Sequence, residues 1–216
     1  MTHTRKDLNF YVSVLCRYMS RFSKTQYDYA LNVLRYVAGT IDMGLLYDLS
    51  MFPLPLKWGE GVVITPWVDS NFAERESDSK SSSGLVMQLN GCTIDAQCLL
   101  QKRPAQDTAE AEWYGFAAIC KWVEWYRGFL AELLVDIGGR TEIKHDNQAV
   151  ISLLEDDQKL GRTLHWRIAQ HYPRYLYGIG VVGVSYCPTD EMCADMLNKA
   201  LPFPALSKHR KTVQGE

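Results

Sequence analysis

Apolar residues recur at three- and four-residue spacing through "DLNFYVSVLCRYM" and again through "SKTQYDYALNVLRYVAGT", predicting two amphipathic helices between about Arg5 and Gly44. Ser23 or Thr25 stands where the second helix needs an N-cap, and Gly39 where it would stop. "GLLYDL" reads as a short strand, and "SMFPLPLKWGEG", with two prolines and two glycines, as a linker. Beyond it the pattern changes. "VVITPWVDS" reads as a strand running into Asp69, followed by a polar loop, "NFAERESDSKSSS". "GLVMQLNGCTIDAQCLL" predicts two strands around an Asn90-Gly91 turn. A long helix follows from about Asp107 to Leu134, then a strand, "RTEIKHD", ending in Asp146, and a short helix, "NQAVISLLED". "LHWRIAQHYPRYLYG" reads as a helix that Pro173 is expected to kink or break. "VVGVSYC" is the last strand, and "PTDEMCADMLNKAL" the last helix, with Thr189 as its N-cap. This is a mixed α/β order.

The long helix carries two glutamates, Glu110 and Glu112, which point to nearly opposite sides because helical neighbours come three and four apart. Glu110 aligns with Lys121, Glu124 and Glu132, and is expected to face solvent. Glu112 aligns with Phe116, Ile119, Val123, Tyr126, Leu130 and Leu133, at the edge of a core. A carboxylate there needs free helix N–H groups, a charged partner or a metal ion. Three further carboxylates stand where a metal site would draw them: Asp69 and Asp146 at strand ends, Asp195 in the last predicted helix. Each also fits an ordinary role, as a turn opener, a helix N-cap or an exposed helical aspartate.

Length and composition narrow the classes. The 216 residues, 47% hydrophobic and 22% charged, suit one globular domain with an appendage. A formal net charge of -2 argues against a strongly basic coat, while leaving room for a local basic track. The cysteines at 16, 92, 98, 120, 187 and 193 show neither a C-x-x-C pair nor zinc-finger spacing, and read as reduced thiols of an intracellular protein. Arg5, Lys6 and Asp7 interrupt the N-terminus as no signal peptide would, and the apolar run after them is too short to span a bilayer, so no membrane is expected. Trp113, Trp122, Trp125 and Trp166 are placed for packing rather than for base stacking.

Five stretches in fixed order, "VDSNFAERESDSKSSSGLVMQLNGC", "KRPAQDTAEAEWYGFAA", "HDNQAVISL", "GRTLHWRIAQHY" and "YCPTDEMCADMLNKALP", resemble the ribonuclease H domain of copia-type LTR retrotransposon polyproteins. The N-terminal helices resemble the segment that ends the reverse transcriptase in those polyproteins. The resemblance implies a ribonuclease H-like α/β fold, a five-stranded mixed sheet flanked by helices, plus an N-terminal helical appendage. Its expected division is 1–58 as the reverse transcriptase tail, 59–205 as the ribonuclease H-like domain and 206–216 as a basic C-terminal tail around "KHRK".

By that resemblance, Asp69, Glu112, Asp146 and Asp195 match the family's four catalytic, metal-binding carboxylates. They would hold two Mg²⁺ ions, for which Mn²⁺ can substitute, and hydrolyse the RNA strand of RNA–DNA hybrids to 5′-phosphate and 3′-hydroxyl ends. Ser70, Asn71, Asn147 and Gln148 beside those carboxylates are candidate readers of the hybrid, and Lys102 and Arg103 candidate phosphate contacts. His145 and His165 are assigned surface roles on a strand and a helix. "YCPTDEM" is short and lacks the mobile histidine of many ribonucleases H, an abbreviation it shares with copia-type domains. Expected partners are an RNA–DNA hybrid and the polymerase part of the same polyprotein, in the cytoplasm or a virus-like particle. Two other classes compete: an inactive or host-adopted module that binds hybrids or a protein, and an integrase or transposase. The glutamate, second in order here, disfavours the latter.

Overall fold

The structure is a computed structural model that describes residues 4–48, 50, 62–75, 78–155 and 167–215. The predicted linker lies almost wholly outside the described residues, as do His165 and Trp166.

Five strands form one sheet. They are β1 (Ile64–Arg75), β2 (Lys80–Leu89), β3 (Cys92–Leu100), β4 (Thr141–His145) and β5 (Val182–Tyr186), in the order β3-β2-β1-β4-β5. β1 runs antiparallel to β2 and β2 to β3, while β4 lies parallel to both β1 and β5. The expected five-stranded mixed sheet of a ribonuclease H-like fold is therefore present. The β2–β3 turn is the Asn90-Gly91 pair, at φ 48° and 80°, the left-handed backbone that a two-residue hairpin turn requires. The stretch read as a polar loop after Asp69 is largely strand. β1 continues to Arg75 and β2 begins at Lys80, with Ser81, Ser82 and Ser83 buried. Their hydroxyls find partners: Ser83 on Ser70 at 2.8 Å, Ser82 on Glu74 at 3.0 Å, and Ser81 on the backbone N–H of Ala73 at 3.1 Å. Polarity alone misled there.

Side chains alternate across the sheet. Leu85 and Met87 enter a core with Val68, Trp113, Phe116, Ile119, Val123 and Ile143. That core lies beneath α3 (Thr108–Glu132), with α4 (Gln148–Glu155) and α5 (Arg167–Gly178) beside it. α5 continues through Pro173 instead of breaking. Val86 enters a second core with Met192, Cys193, Ala194, Met196, Leu197, Leu206 and Val213. Here two expectations fail. "PTDEMCADMLNKAL" is no α-helix but two short 3-10 turns, Thr189–Glu191 and Cys193–Leu197, while the described residues of "GLLYDL", 44–48, form no strand. The segment expected as a basic tail is a helix, α6 (Phe203–Gln214), whose Leu206, His209, Arg210 and Val213 are buried.

The N-terminal helices are α1 (Asn9–Cys16) and α2 (Lys24–Ala38). Ser23 caps α2 through a capping box with Gln26, and Gly39 is its C-cap. α1 lies against β3, where Asn9 Nδ2 donates to the Ala96 carbonyl at 2.7 Å and Lys6 pairs with Asp95 at 3.2 Å. All six cysteines are free thiols. Among the described residues, no helix is long and apolar enough to cross a membrane.

Candidate metal centre

Strand register brings the first two carboxylates level. β1 and β4 pair with Trp67 opposite Lys144, so two residues further along each strand stand Asp69 and Asp146. Two glycines then admit the other segments. Gly115 lets α3 approach β1 so closely that a Cβ there would lie 2.5 Å from Ser70 Oγ, and Glu112 precedes it by three residues. Gly84, the β2 partner of Asp69, lets the Cys193–Leu197 turn approach the opposite face. A Cβ at Gly84 would lie 2.3 Å from the Ala194 carbonyl oxygen.

One carboxylate oxygen each of Asp69, Glu112 and Asp146 fall within 4.8 Å of one another. Asp195 adjoins Asp69 from the other side, sharing a hydrogen bond with it. Asp69, Glu112 and Asp195 are buried, and Asp146 is half-buried. The opposite placements expected for the two glutamates hold only in part. Glu112 faces the cluster, but Glu110 is also buried, because the preceding loop folds over it. Gln106 N–H donates to Glu110 Oε2 at 2.6 Å and the Tyr114 hydroxyl to Oε1 at 2.6 Å.

The electrostatics are those of crowded acids. Burial, with the charges of Asp69 and Asp146, pushes Glu112 up to about 10. Burial and Asp69 likewise push Asp195 up to about 8, and Asp146 is raised for the same two reasons. Burial opposes the charge on Asp69 too, but Lys199 and hydrogen bonds from Asp195 and Asn198 outweigh it and hold Asp69 below its ordinary value. Glu112 Oε2 is buried without a hydrogen-bond partner. A divalent cation is what this set fits: hard oxygen donors converging on one point, one of them unpartnered, all relieved of mutual repulsion by positive charge.

Four neighbours escaped the sequence reading. Asn198, fully buried, donates from Nδ2 to Asp69 Oδ2 at 2.8 Å. Lys199 Nζ lies 2.8 Å from Asp195 Oδ1 and 3.4 Å from Asp69 Oδ2. Thr189, expected as a helix cap, instead donates its hydroxyl to Asp146 Oδ2 at 2.9 Å. His145 is not a surface residue; it is fully buried, with Nε2 3.9 Å from Glu112 Oε2. Its Nδ1 accepts from Asn147 N–H at 3.0 Å, so the neutral ring carries its proton on Nε2, toward Glu112. Burial pushes His145 down to about 4 and keeps it neutral. The one available signal was the four-residue spacing of Asp195 and Lys199, which pairs opposite charges on consecutive turns of chain.

The candidate substrate residues divide. Ser70 is buried, its hydroxyl on Ser83 and its backbone N–H on the Glu112 carboxylate. Asn71 Nδ2 donates to the Asn198 carbonyl at 3.3 Å, and Asn147 Oδ1 accepts from Ala149 N–H at 2.9 Å, capping α4. Gln148, Lys102 and Arg103 are exposed. Of the tryptophans expected to pack, Trp113 is fully buried and Trp122 partly so, but Trp125 is 62% exposed, stacked on Phe129.

No protein-family model matches the chain. It is 28% identical over 203 residues to the Retrovirus-related Pol polyprotein from transposon TNT 1-94 of Nicotiana tabacum, a match covering 94% of this chain and 14% of that protein. Against the Retrovirus-related Pol polyprotein from transposon RE2 of Arabidopsis thaliana it is 26% identical over 213 residues, covering 99% of this chain and 14% of that protein. The chain thus spans about 14% of the length of these curated relatives. Among solved structures, the N-terminal RNase H domain of rv2228c from Mycobacterium tuberculosis aligns at a TM-score of 0.43 and 13% identity, covering 70% of this chain and 99% of that one. RNase H1 from Halobacterium salinarum aligns at 0.43 and 16%, covering 67% and 97%. The chain is thus similar, almost end to end, to one segment of the retrovirus-related Pol polyproteins of plant transposons.

Proposed function

We propose that this chain is a metal-dependent endoribonuclease that hydrolyses the RNA strand of RNA–DNA hybrids during retrotransposon reverse transcription. The observation that carries this reading is the convergence of Asp69, Glu112 and Asp146 oxygens within 4.8 Å, with Asp195 beside Asp69. Divalent cations held there, two Mg²⁺ or Mn²⁺ ions in the full assignment, would supply the Lewis acidity for attack of water on a phosphodiester.

The chain's own groups hold this arrangement in place. Asn198 and Ser70 N–H orient the Asp69 and Glu112 carboxylates, and Thr189 fixes that of Asp146. Neutral His145 backs Glu112 and Asp146 without adding charge. Asn71 and Gln148 lie two residues after Asp69 and Asp146 and are suited to read 2′-hydroxyls across a shallow minor groove, while exposed Lys102 and Arg103 are suited to contact phosphates. Ser70 and Asn147 serve this reading as positioning groups, since the hydroxyl of one and the amide oxygen of the other are engaged, whereas Asn71, whose Nδ2 donates to the Asn198 carbonyl, has its amide oxygen left for a 2′-hydroxyl. Residues 59–205 would be the nuclease unit and the helices before it the end of a reverse transcriptase, working beside the polymerase part of a polyprotein in the cytoplasm or a virus-like particle.

A labelled RNA–DNA hybrid tests the assignment. The wild type should cut the RNA strand only with Mg²⁺ or Mn²⁺, leaving 5′-phosphate and 3′-hydroxyl ends, and Asp69→Asn and Asp146→Asn should abolish the cutting. Equal cleavage by wild type and variants would sink the proposed site. A folded wild type that binds hybrid without cutting would favour a binding module instead.

A further inference from the structure

The two sides of the carboxylate cluster are not equivalent. Glu112 Oε2 and Asp195 Oδ1 are both buried without a hydrogen-bond partner, but the Glu112 side faces only the neutral His145, at 3.9 Å. On the Asp195 side, the chain has placed a cation of its own. Lys199 Nζ bridges Asp195 Oδ1 at 2.8 Å and Asp69 Oδ2 at 3.4 Å, and Asn198 adds a second donor to the same Asp69 oxygen at 2.8 Å. The bridge is built rather than incidental. Asp195 starts a turn whose carbonyl accepts from both Asn198 N–H and Lys199 N–H, at 3.3 and 3.2 Å, so the lysine is anchored to the residue it neutralises. Only a third of the Lys199 side chain is exposed.

An ammonium group and a divalent cation repel, and both would need the same oxygens of Asp69 and Asp195. We propose that Lys199 is a built-in cation occupying the Asp69–Asp195 half of the site. The chain alone then holds one divalent ion, on Asp69, Glu112 and Asp146, and admits a second only when Lys199 is displaced. The inference rests on the nuclease reading for the identity of the site, but concerns how many ions the free protein takes.

Mn²⁺ titration of the hybrid-free protein, followed by electron paramagnetic resonance and calorimetry, tests it without reference to activity. The wild type should bind one Mn²⁺ per chain. Lys199→Met, which keeps the stem and removes the charge, should bind two, the second at least tenfold tighter than any second ion on the wild type. Lys199→Arg should stay at one, and adding Asp195→Asn to Lys199→Met should return the count to one. Lys199→Gln, which keeps a hydrogen-bond donor, provides the same comparison should the methionine variant fold poorly. Two tight ions on the wild type, or an unchanged single ion on both uncharged variants, would overturn the role of Lys199 while leaving the nuclease reading standing. Absence of any Mn²⁺ binding by the folded wild type would overturn both.

Discussion

At the scale of single residues, the clustered carboxylates give the whole fold an acid–base property that a bound cation would change. Glu112, pushed up to about 10, and Asp195, pushed up to about 8, keep protons in the folded state that an unfolded chain releases near pH 4–4.5. Between those limits the folded state binds more protons, so stability falls as pH rises. Asp69 is shifted the other way, and its contribution lies below that window, being lost only as pH falls through its lowered value. In EDTA the melting temperature should therefore decline from about pH 5 to pH 8, the interval bounded by these shifts. Mg²⁺ should raise it by an amount that grows with pH, and Glu112→Gln should flatten the decline. A metal-free melting curve indifferent to pH would show that the acids are not in mutual contact. Much of this site was legible in the residues themselves. Glu112 stood out because helical phase placed an acid among core residues, and Asp69 and Asp146 because each ended a predicted strand. Asn198 and Thr189 were not legible, because they act from a segment whose conformation follows no regular period, and Lys199 could be read only from its four-residue spacing to Asp195.

At the scale of elements, success and failure divide according to whether the signal is local. The Asn90-Gly91 turn and the Ser23 capping box are specified by neighbouring residues, and both formed as expected. The stretch around Asp195 misled because Met192, Cys193, Ala194, Met196 and Leu197 are apolar for a different reason. They fill the second face of the sheet from irregular 3-10 turns, not from one stripe of an α-helix. α6 was hidden by its charges, since Lys208, His209, Arg210 and Lys211 dominate its composition while Leu206 and Val213 do the packing. Glu110 was misplaced because helical projection cannot see the loop that folds over the first turn. Glycines make this distinction measurable. Gly128 on α3 is exposed with nothing within 4 Å of a new Cβ, so Gly128→Ala should stabilise by about 0.5–1 kcal/mol through helix propensity. At Gly84 the new Cβ would meet backbone, the Ala194 carbonyl, which cannot rotate away. Gly84→Ala should destabilise by about 1–3 kcal/mol and depress cleavage, because relief of the clash pushes the Asp195 turn off the sheet. Urea denaturation of the two variants checks both signs.

At the scale of the molecule, the N-terminal helices behave as part of the fold that carries the carboxylate cluster. Asp7 is nearly inaccessible and joins three segments, receiving Arg5 at 2.8 Å, the Tyr36 hydroxyl of α2 at 2.8 Å and Gln214 of α6 at 3.1 Å. Leu46 N–H donates to the Gln214 carbonyl at 2.7 Å, holding the chain after α2 to the same helix end. α6 in turn packs on the Cys193–Leu197 turn that carries Asp195. A continuous path of contacts thus runs from residues 5–46 through α6 to the catalytic candidates. Removing Asp7 takes the only carboxylate from the Arg5 guanidinium, which keeps its bonds to Thr40, and leaves the part-buried Tyr36 hydroxyl and the buried Gln214 amide without that acceptor, so Asp7→Ala should cost about 3–5 kcal/mol in urea denaturation. The same path predicts that a chain starting at residue 62 loses more than an ornament. It uncovers the β3 surface under α1, unties α6, and should show weaker Mn²⁺ binding together with a lower melting temperature. Were residues 4–48 only a detachable appendage, the shortened chain would melt and bind metal like the full one, and the path from Asp7 to Asp195 would carry no coupling.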